Sequence, residues 1–267
     1  MLKLIVPQHS GRARFSMRRT SRHYPRNRPL GHGHAAPGQS PVKPRDAATL
    51  IVWRKRGRHI ETLMGRRARR SSFVPDFFVF PGGCLDPSDF KVQAATALDP
   101  AMVGKMGVRG NAKMAQALAI AAIRETFEET GLLLAEPGDI GGPHPEWAQW
   151  KARQLAPGLH HLGYFGRAIT STISPIRFNA RFFIAHADTL QGQLGGTDEL
   201  SELDFYAVDD VLRDMPIIDV TEFMLKNLLD FAQNPAGVDP GAPVFCYRGE
   251  IPLVRYPDNA AISARQT

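Results

Sequence analysis

The segment from residue 112 to residue 130, AKMAQALAIAAIRETFEET, predicts one long helix. Ala, Leu and Glu are strong helix formers, and apolar residues such as Leu118 and Ile123 recur at roughly helical intervals. Gly131 follows directly, and glycine readily adopts the left-handed conformation that ends many helices. We therefore expect a well-defined helix whose last turn lies just before Gly131.

Apolar runs between turn residues predict strands on both sides of this helix. Residues 47 to 53 and 59 to 64 predict a hairpin, and the run at 77 to 80 predicts a third strand that leads into Gly82 and Gly83. The later elements predicted are strands at 162–168, 181–187 and 203–208 and helices at 145–155, 209–213 and 220–231. Because no regular β-α-β rhythm is present, the sequence predicts an α/β fold with a mixed sheet flanked by helices.

The length of 267 residues and a hydrophobic content of 43% allow one domain with a substantial core. We expect a folded domain at 46–235 that contains an insertion at 84–111, which is rich in Gly and Pro. Residues 1–45 are expected to form a disordered basic leader, and 236–267 a C-terminal extension that is packed on the domain or partly disordered.

The net charge of +7 arises in the leader. Residues 1–45 contain ten Lys and Arg and no acid, which leaves 23 basic against 26 acidic residues in the rest of the chain. A basic nucleic-acid groove on the folded domain is therefore disfavoured. Three interpretations of the leader stay open: a solvated extension, an organellar transit peptide, and an arm that binds anionic partners.

The chain contains two cysteines, Cys84 and Cys246, which cannot form a disulfide framework. No apolar run approaches the roughly 18 residues that a membrane-spanning helix needs. We expect a soluble, cytoplasmic protein, or an organellar one if the leader is a transit peptide.

Three carboxylates define the candidate chemistry. Glu125, Glu128 and Glu129 stand at positions i, i+3 and i+4, which places them on one face of the predicted helix. They repel one another, and they lie in the last turn, where the helix dipole disfavours acids. A divalent cation such as Mg²⁺ or Mn²⁺ relieves both penalties. The alternative is a solvated acidic surface.

The residues around these glutamates resemble the signature of the Nudix hydrolase family, G-x5-E-x7-R-E-U-x-E-E-x-G-U, in which U is a bulky apolar residue. The stretch 124–132, RETFEETGL, matches every fixed position of the second half except that Thr126 replaces the first apolar residue. The glycine of the first half lies much farther upstream than in the standard signature. Counting back eight positions from Arg124 places the first signature glutamate at Gln116, so this acid is expected to be missing.

A signature that is split after Pro-Gly-Gly is similar to the coenzyme A diphosphatase branch of the family, the peroxisomal type and its bacterial relatives. The motifs FVFPGGCLD at 78–86 and AAIRETFEETGLLL at 121–134 carry this resemblance, and 63–80 and 175–184 also fit. The similarity covers most of residues 47–215.

The family resemblance implies a fold and a set of roles. The fold is an α/β/α sandwich in which the signature helix and the loop after Gly83 hold a metal-bound pyrophosphate. Glu125, Glu128 and Glu129 are the implied metal ligands, with Glu128 and Glu129 also catalytic. Arg124 would hold a glutamate in place, and Gly82 and Gly83 would let the backbone approach phosphate. The alternatives are a solvated arginine and an ordinary turn.

Other candidates lie outside the signature. The family often takes a general base from a distant loop, and Glu199, then Glu202, are the expected candidates here. Arg66 and Arg67 belong to an arginine-rich segment that could bind substrate phosphates. Each of these residues could equally be part of an ordinary solvated surface.

The resemblance favours a metal-dependent hydrolase that cleaves the phosphoanhydride bond of coenzyme A or acyl-coenzyme A. The alternatives within the same chemistry are ADP-ribose, a nucleotide sugar or a dinucleotide. An alternative of another class is a non-catalytic nucleotide sensor whose basic leader binds nucleic acid. The expected partner is a small nucleoside-diphosphate compound, neither a membrane nor nucleic acid is expected to bind, and a homodimer is compatible with the sequence.

Overall fold

A computed structural model describes residues 21–25, 28–30, 34–35, 40–142, 145–233 and 242–256 of the chain. The strands are β1 Ser21–His23, β2 Arg45–Arg56, β3 His59–Arg67, β4 Phe78–Val79, β5 Gly82–Cys84, β6 Leu132–Leu133, β7 Ala135–Pro137, β8 Leu155–Pro157, β9 Gly163–Ile169, β10 Phe178–His186, β11 Gln191–Gly192, β12 Leu200–Ala207, β13 Val244–Arg248 and β14 Ile251–Arg255. The helices are α1 Pro100–Lys105, α2 Ala112–Thr130, α3 Ala148–Ala152, α4 Val208–Asp214 and α5 Asp219–Gln233. Short 3₁₀ turns lie at Pro87–Phe90, Pro145–Trp147, Leu159–His161 and Ala187–Thr189.

A large mixed sheet forms the centre of the fold. Its strand order is β1-β14-β13-β9-β10-β2-β3-β12, while β4 pairs with β3 and β5 pairs with β2. The pairs β10/β2 and β13/β9 are parallel, whereas the other pairs in this sheet are antiparallel. The parallel register sets Phe178 to His186 against Arg45 to Trp53. Two small ribbons, β11/β6 and β7/β8, lie outside this sheet.

Alternating side chains of the central strands supply two separate cores. Leu50 and Val52 of β2 pack with α2 on one face, whereas Ile51 between them packs with α4 and α5 on the other. This alternation is the consequence of the two-residue period of a strand. Helices therefore cover both faces, and the fold is an α/β/α sandwich with a mixed sheet, as predicted.

The longest predicted element has the predicted bounds. Helix α2 begins after Asn111, whose side-chain oxygen accepts a hydrogen bond from the Met114 N–H, and it ends at Gly131 with φ of 74°. The predicted hairpin is confirmed as β2 and β3, which are joined by a turn at Gly57. The strand predicted at 77–80 is shorter, because only Phe78 and Val79 pair with β3.

Part of the leader predicted to be disordered contacts the domain. Strand β1 pairs with β14, and Tyr24 packs edge-on against Phe223 and Phe245. Arg28 donates a hydrogen bond to the carbonyl of Leu212. Tyr24 and Arg28 thus attach to the domain a segment whose composition had predicted disorder. Residues 1–20 lie outside the described residues.

The C-terminal extension also contributes to the sheet. Strands β13 and β14 form a hairpin beside β9, and Phe245 is fully buried among the residues of the α5 core. This finding extends the folded unit past residue 235, while 234–241 and 257–267 are not described. Among the described residues, no helix has both the length and the apolar character needed to cross a membrane.

Candidate active site

The C-terminal end of α2 contributes three glutamates to the lining of a cleft. The cleft has a volume of about 670 Å³, and Glu125, Glu128 and Glu129 all line it. Glu129 is buried, Glu125 is partly buried and Glu128 is exposed. The helical spacing therefore brings the three acids to one face of α2, as predicted.

Arg124 connects the glutamates to the loop that follows β5. Its Nη1 donates to Glu125 Oε1 at 2.9 Å and to Glu128 Oε2 at 3.1 Å. Its Nε and Nη2 donate to the two oxygens of Asp89 at 2.9 and 3.1 Å, and Nη2 also donates to the Cys84 carbonyl at 3.0 Å. A buried guanidinium with this set of partners fixes both carboxylates and the loop in one arrangement.

Asp89 occupies the position that the signature gives to its first acid. It is the sixth residue after Gly83, which is the spacing G-x5-E requires when counted forward from the glycine. The expectation that this acid is missing, with Gln116 in its place, is therefore wrong: Gln116 is exposed, whereas Asp89 is buried against Arg124. The insertion lies between Asp89 and Arg124, so counting back across it gave the wrong residue.

The two glycines of β5 permit close packing against the glutamates. The Gly82 N–H donates to Glu129 Oε2 at 2.8 Å. A Cβ at Gly83 would lie 2.4 to 2.5 Å from the carboxylate atoms of Glu125, and a Cβ at Gly82 would lie 2.6 Å from the Ala48 carbonyl oxygen. A side chain at residue 82 would collide with backbone atoms of β2, whereas a side chain at residue 83 would displace the Glu125 carboxylate from its present position.

The environment of the glutamates favours their protonated forms. Burial raises the pKa of Glu129 to about 8, although the hydrogen bond from Gly82 acts in the opposite direction. Burial also raises the pKa of Glu125 to about 7, against the attraction of Arg124. The pKa of Glu128 is also raised, because the part of its side chain that is removed from solvent outweighs the attraction of Arg124, although 40% of the side chain stays exposed. A cluster of carboxyl groups that resist ionisation in this way is typical of a site that gains from a bound cation.

The donor set fits a hard divalent cation. Carboxylate oxygens are the ligands that Mg²⁺ and Mn²⁺ prefer. Within the described part of the chain, Glu125, Glu128 and Glu129 do not form a trio whose ligand oxygens all lie within 4.8 Å of one another. The remaining ligands of an ion held by these glutamates would be water and the phosphate oxygens of a substrate, which is usual for Mg²⁺.

The cleft separates the remaining predicted residues into two groups. Glu199 and Arg67 line it, and Glu199 is exposed at the loop before β12. Arg66 and Glu202 do not line it. They pair with each other through a hydrogen bond of 3.0 Å from Arg66 Nη1 to Glu202 Oε1. Arg67 therefore stays a candidate for binding substrate phosphates and Glu199 a candidate general base, whereas Arg66 and Glu202 lie outside the lining of the cleft.

Other cleft residues had no signal in the sequence. Arg45 lines the cleft beside Arg67, and it comes from the first residue of β2, where the sequence predicted the end of the leader. Phe73 and Phe178 also line the cleft, with ring centroids 4.9 Å apart in an edge-on arrangement. These residues are distant in sequence, so their proximity depends on the parallel pairing of β10 with β2.

Comparison with known proteins supports the resemblance. No family model matches the chain. A putative Nudix hydrolase 7 of Caenorhabditis elegans is 28% identical over 170 residues, which is 59% of this chain and 50% of that protein. The acyl-coenzyme A diphosphatase NUDT19 of Gallus gallus is 34% identical over 134 residues, which is 41% of this chain and 34% of that protein. The chain thus spans about half or less of the length of these curated relatives.

A solved structure provides a more complete match. The Nudix hydrolase from Alicyclobacillus acidocaldarius is 30% identical, with a TM-score of 0.53, and the match covers 69% of this chain and 90% of that one. The predicted resemblance to the family, including its coenzyme A diphosphatase branch, is confirmed by these relatives. The chain therefore belongs to the Nudix hydrolase family.

Proposed function

We propose that the protein hydrolyses a phosphoanhydride bond in a nucleoside-diphosphate-linked compound, with coenzyme A or an acyl-coenzyme A as the preferred substrate. The observation that carries this proposal is that Glu125, Glu128 and Glu129 line a cleft that is also lined by Arg45 and Arg67. Acids placed to hold cations and arginines placed to hold phosphates are the two requirements of a pyrophosphate site.

The proposed reaction is a displacement at phosphorus. A water oxygen forms a bond to one phosphorus, the bond from that phosphorus to the bridging oxygen breaks, and the bridging oxygen leaves on the other phosphate. With coenzyme A the products are 3′,5′-adenosine bisphosphate and 4′-phosphopantetheine. Bound Mg²⁺ or Mn²⁺ would neutralise charge on the phosphate oxygens and lower the pKa of water.

The residues of the chain have separate roles in this proposal. Glu125, Glu128 and Glu129 would hold the cations, and Arg124 with Asp89 would keep two of these acids in place. Glu199 would accept the proton of the attacking water, since it lines the cleft from another element. Gly82 and Gly83 would allow the backbone of β5 to lie close to the pyrophosphate.

The choice of coenzyme A rests on two observations. The chicken and frog relatives are acyl-coenzyme A diphosphatases, at 34% and 36% identity over part of the chain. The lining of the cleft also includes apolar residues, among them Phe73 and Phe178, whose ring centroids lie 4.9 Å apart. A substrate with a long uncharged arm beyond its diphosphate suits such a cleft better than a compact one.

A substrate panel tests this proposal. Coenzyme A, acetyl-coenzyme A, ADP-ribose and NADH would each be incubated with the protein, with and without Mg²⁺ or Mn²⁺, and the products identified by mass spectrometry. We expect metal-dependent cleavage of the coenzyme A compounds at the highest kcat/KM. Cleavage of ADP-ribose alone would keep the chemistry and reject the coenzyme A assignment, and cleavage of none would reject the proposed hydrolysis.

A further inference from the structure

A second cluster of metal-binding side chains lies outside the cleft. Glu136 of β7 and the pair His160 and His161 of the 3₁₀ turn after β8 bring one ligand atom each to within 4.8 Å of one another. His161 Nε2 lies 2.8 Å from Glu136 Oε1, and His160 Nε2 lies 3.9 Å from the same oxygen. None of the three side chains is among those that line the cleft.

The local backbone holds these side chains together. Strand β7 pairs with β8 so that Glu136 lies opposite Ala156, and the turn that carries the histidines follows at once. Leu159, the residue before the histidines, is fully buried and anchors the turn to the core. At Gly158 a Cβ would lie 3.2 Å from both Glu136 Cγ and His161 Cδ2, so the absence of a side chain there permits the approach.

Thr96 fixes the orientation of one histidine. Its Oγ1 accepts a hydrogen bond from the His160 backbone N–H at 3.1 Å and lies 2.9 Å from His160 Nδ1. When Nδ1 donates to this hydroxyl, the neutral ring carries its lone pair on Nε2, which is the nitrogen that faces Glu136. A histidine that donates one ring N–H to an oxygen and offers the other nitrogen is the usual arrangement at protein metal sites.

The separations match a small transition-metal ion. Ligands about 2.0 to 2.1 Å from a tetrahedral Zn²⁺ stand about 3.3 Å from one another. The distances from Glu136 Oε1 to His161 Nε2, 2.8 Å, and to His160 Nε2, 3.9 Å, lie on either side of this value. The side chains of Glu136, His160 and His161 are 36%, 49% and 23% exposed, so an ion can reach them from solvent. Two imidazoles and one carboxylate favour Zn²⁺ over Mg²⁺, which prefers oxygen ligands alone.

We propose that Glu136, His160 and His161 form a binding site for one Zn²⁺ or a similar borderline transition-metal ion, separate from the Nudix centre. Three protein ligands leave a fourth position for water. The ion would link the β7/β8 ribbon to the histidine turn.

The test is calorimetric titration of the metal-stripped full chain with ZnCl₂ in the presence of excess Mg²⁺, which occupies oxygen-ligand sites. We expect one Zn²⁺ equivalent that is lost in His161→Ala and in His160→Ala. Thr96→Val removes only the hydroxyl and is expected to weaken binding by about tenfold or more. His186→Ala is the matched control, because His186 is a partly exposed histidine beside Asp188 and packs on Trp53.

Cobalt supplies a second readout that does not depend on heat. Co²⁺ bound by the wild-type protein should give the visible absorption of a four-coordinate ion, and the histidine variants should lack it while keeping the wild-type circular dichroism. Zn²⁺ binding that is absent from the wild type, or that is reduced equally in His186→Ala and His161→Ala, would overturn the proposal.

Discussion

At the residue scale, the difference between Glu199 and Glu202 decides the assignment of the proposed base. Both are acids near the start of β12, but Glu199 lines the cleft and Glu202 is paired with Arg66. We predict that Glu199→Gln lowers kcat by about 100-fold or more, the usual contribution of a general base. Glu202→Gln removes the same charge outside the cleft and should leave kcat within about twofold. Equal effects of the two substitutions would contradict the assignment.

The buried pair of Asp89 and Arg124 gives a second prediction. The Asp89 side chain is fully buried and that of Arg124 is 8% exposed. Removing the charge of Asp89 therefore removes the buried carboxylate that accepts two hydrogen bonds from the Arg124 guanidinium. We predict that Asp89→Asn lowers the free energy of unfolding by about 3 kcal/mol. Urea denaturation measures this change, with Asp188→Asn as the control, since Asp188 is 87% exposed. A loss no larger than that of the control would show that the pair is unimportant.

Individual residues also show how far the sequence alone could lead. The shared face of Glu125, Glu128 and Glu129 could be predicted because helical spacing is a local property. Asp89 could be found by counting forward from Gly83, but not by counting back across an insertion of unknown length. Arg45 and Phe178 gave no signal, because their proximity to the glutamates depends on how two strands distant in sequence pair.

The C-terminal end of helix α2 determines where Glu125, Glu128 and Glu129 lie. Gly131 has φ of 74°, its N–H donates to the Phe127 carbonyl at 2.8 Å, and a Cβ there would lie 2.8 Å from the Gln193 carbonyl oxygen. We predict that Gly131→Ala costs about 1 kcal/mol for the left-handed conformation, together with an added cost for this close contact.

Gly57→Ala is the matched control for the helix end. Gly57 has φ of 60° and no atom within 4 Å of an added Cβ, so this variant pays the conformational cost alone. Thermal unfolding of both variants should show the larger loss for Gly131→Ala. A loss at residue 131 that is equal to or smaller than the loss at residue 57 would contradict the close contact.

Elements differ in how well the sequence predicts them. Helix α2 was predicted with its observed bounds, because its propensity, apolar pattern and terminal glycine all lie within the segment itself. The two-residue strands β6 and β11 were not predicted, since they exist only through pairing with each other. Strand β1 was missed for the same reason: its partner, β14, lies at the far end of the chain.

At the scale of the whole molecule, the raised pKa values of the glutamates link stability to pH and to metal. Burial raises the pKa of Glu129 to about 8 and that of Glu125 to about 7, above the ordinary value of 4.5. The two glutamates therefore bind protons more tightly in the folded state than in the unfolded state. This difference stabilises the folded state fully below about pH 4.5, and the stabilisation is lost as the pH rises through 7 to 8.

We therefore predict that the metal-free protein loses unfolding free energy between pH 6 and pH 9. Added Mg²⁺ should restore more stability at pH 9 than at pH 6, because it binds the ionised acids. Thermal melts across this range in EDTA and in Mg²⁺ measure both effects. Glu129→Gln is the control, and it should show a weaker dependence on pH. A metal-free wild type whose melting temperature is the same at pH 6 and pH 9 would contradict the prediction.

In the proposed function, the α2 glutamates hold the metal with which this chain hydrolyses the diphosphate of coenzyme A. The most direct measurement is mass spectrometry of the products that the wild type and Glu128→Gln form from coenzyme A with Mg²⁺ in H₂¹⁸O. We predict 3′,5′-adenosine bisphosphate and 4′-phosphopantetheine, with ¹⁸O in the phosphate of one product only, and a loss of about 100-fold or more in rate for the variant. Equal rates for the two proteins, or no cleavage by the wild type, would contradict the claim.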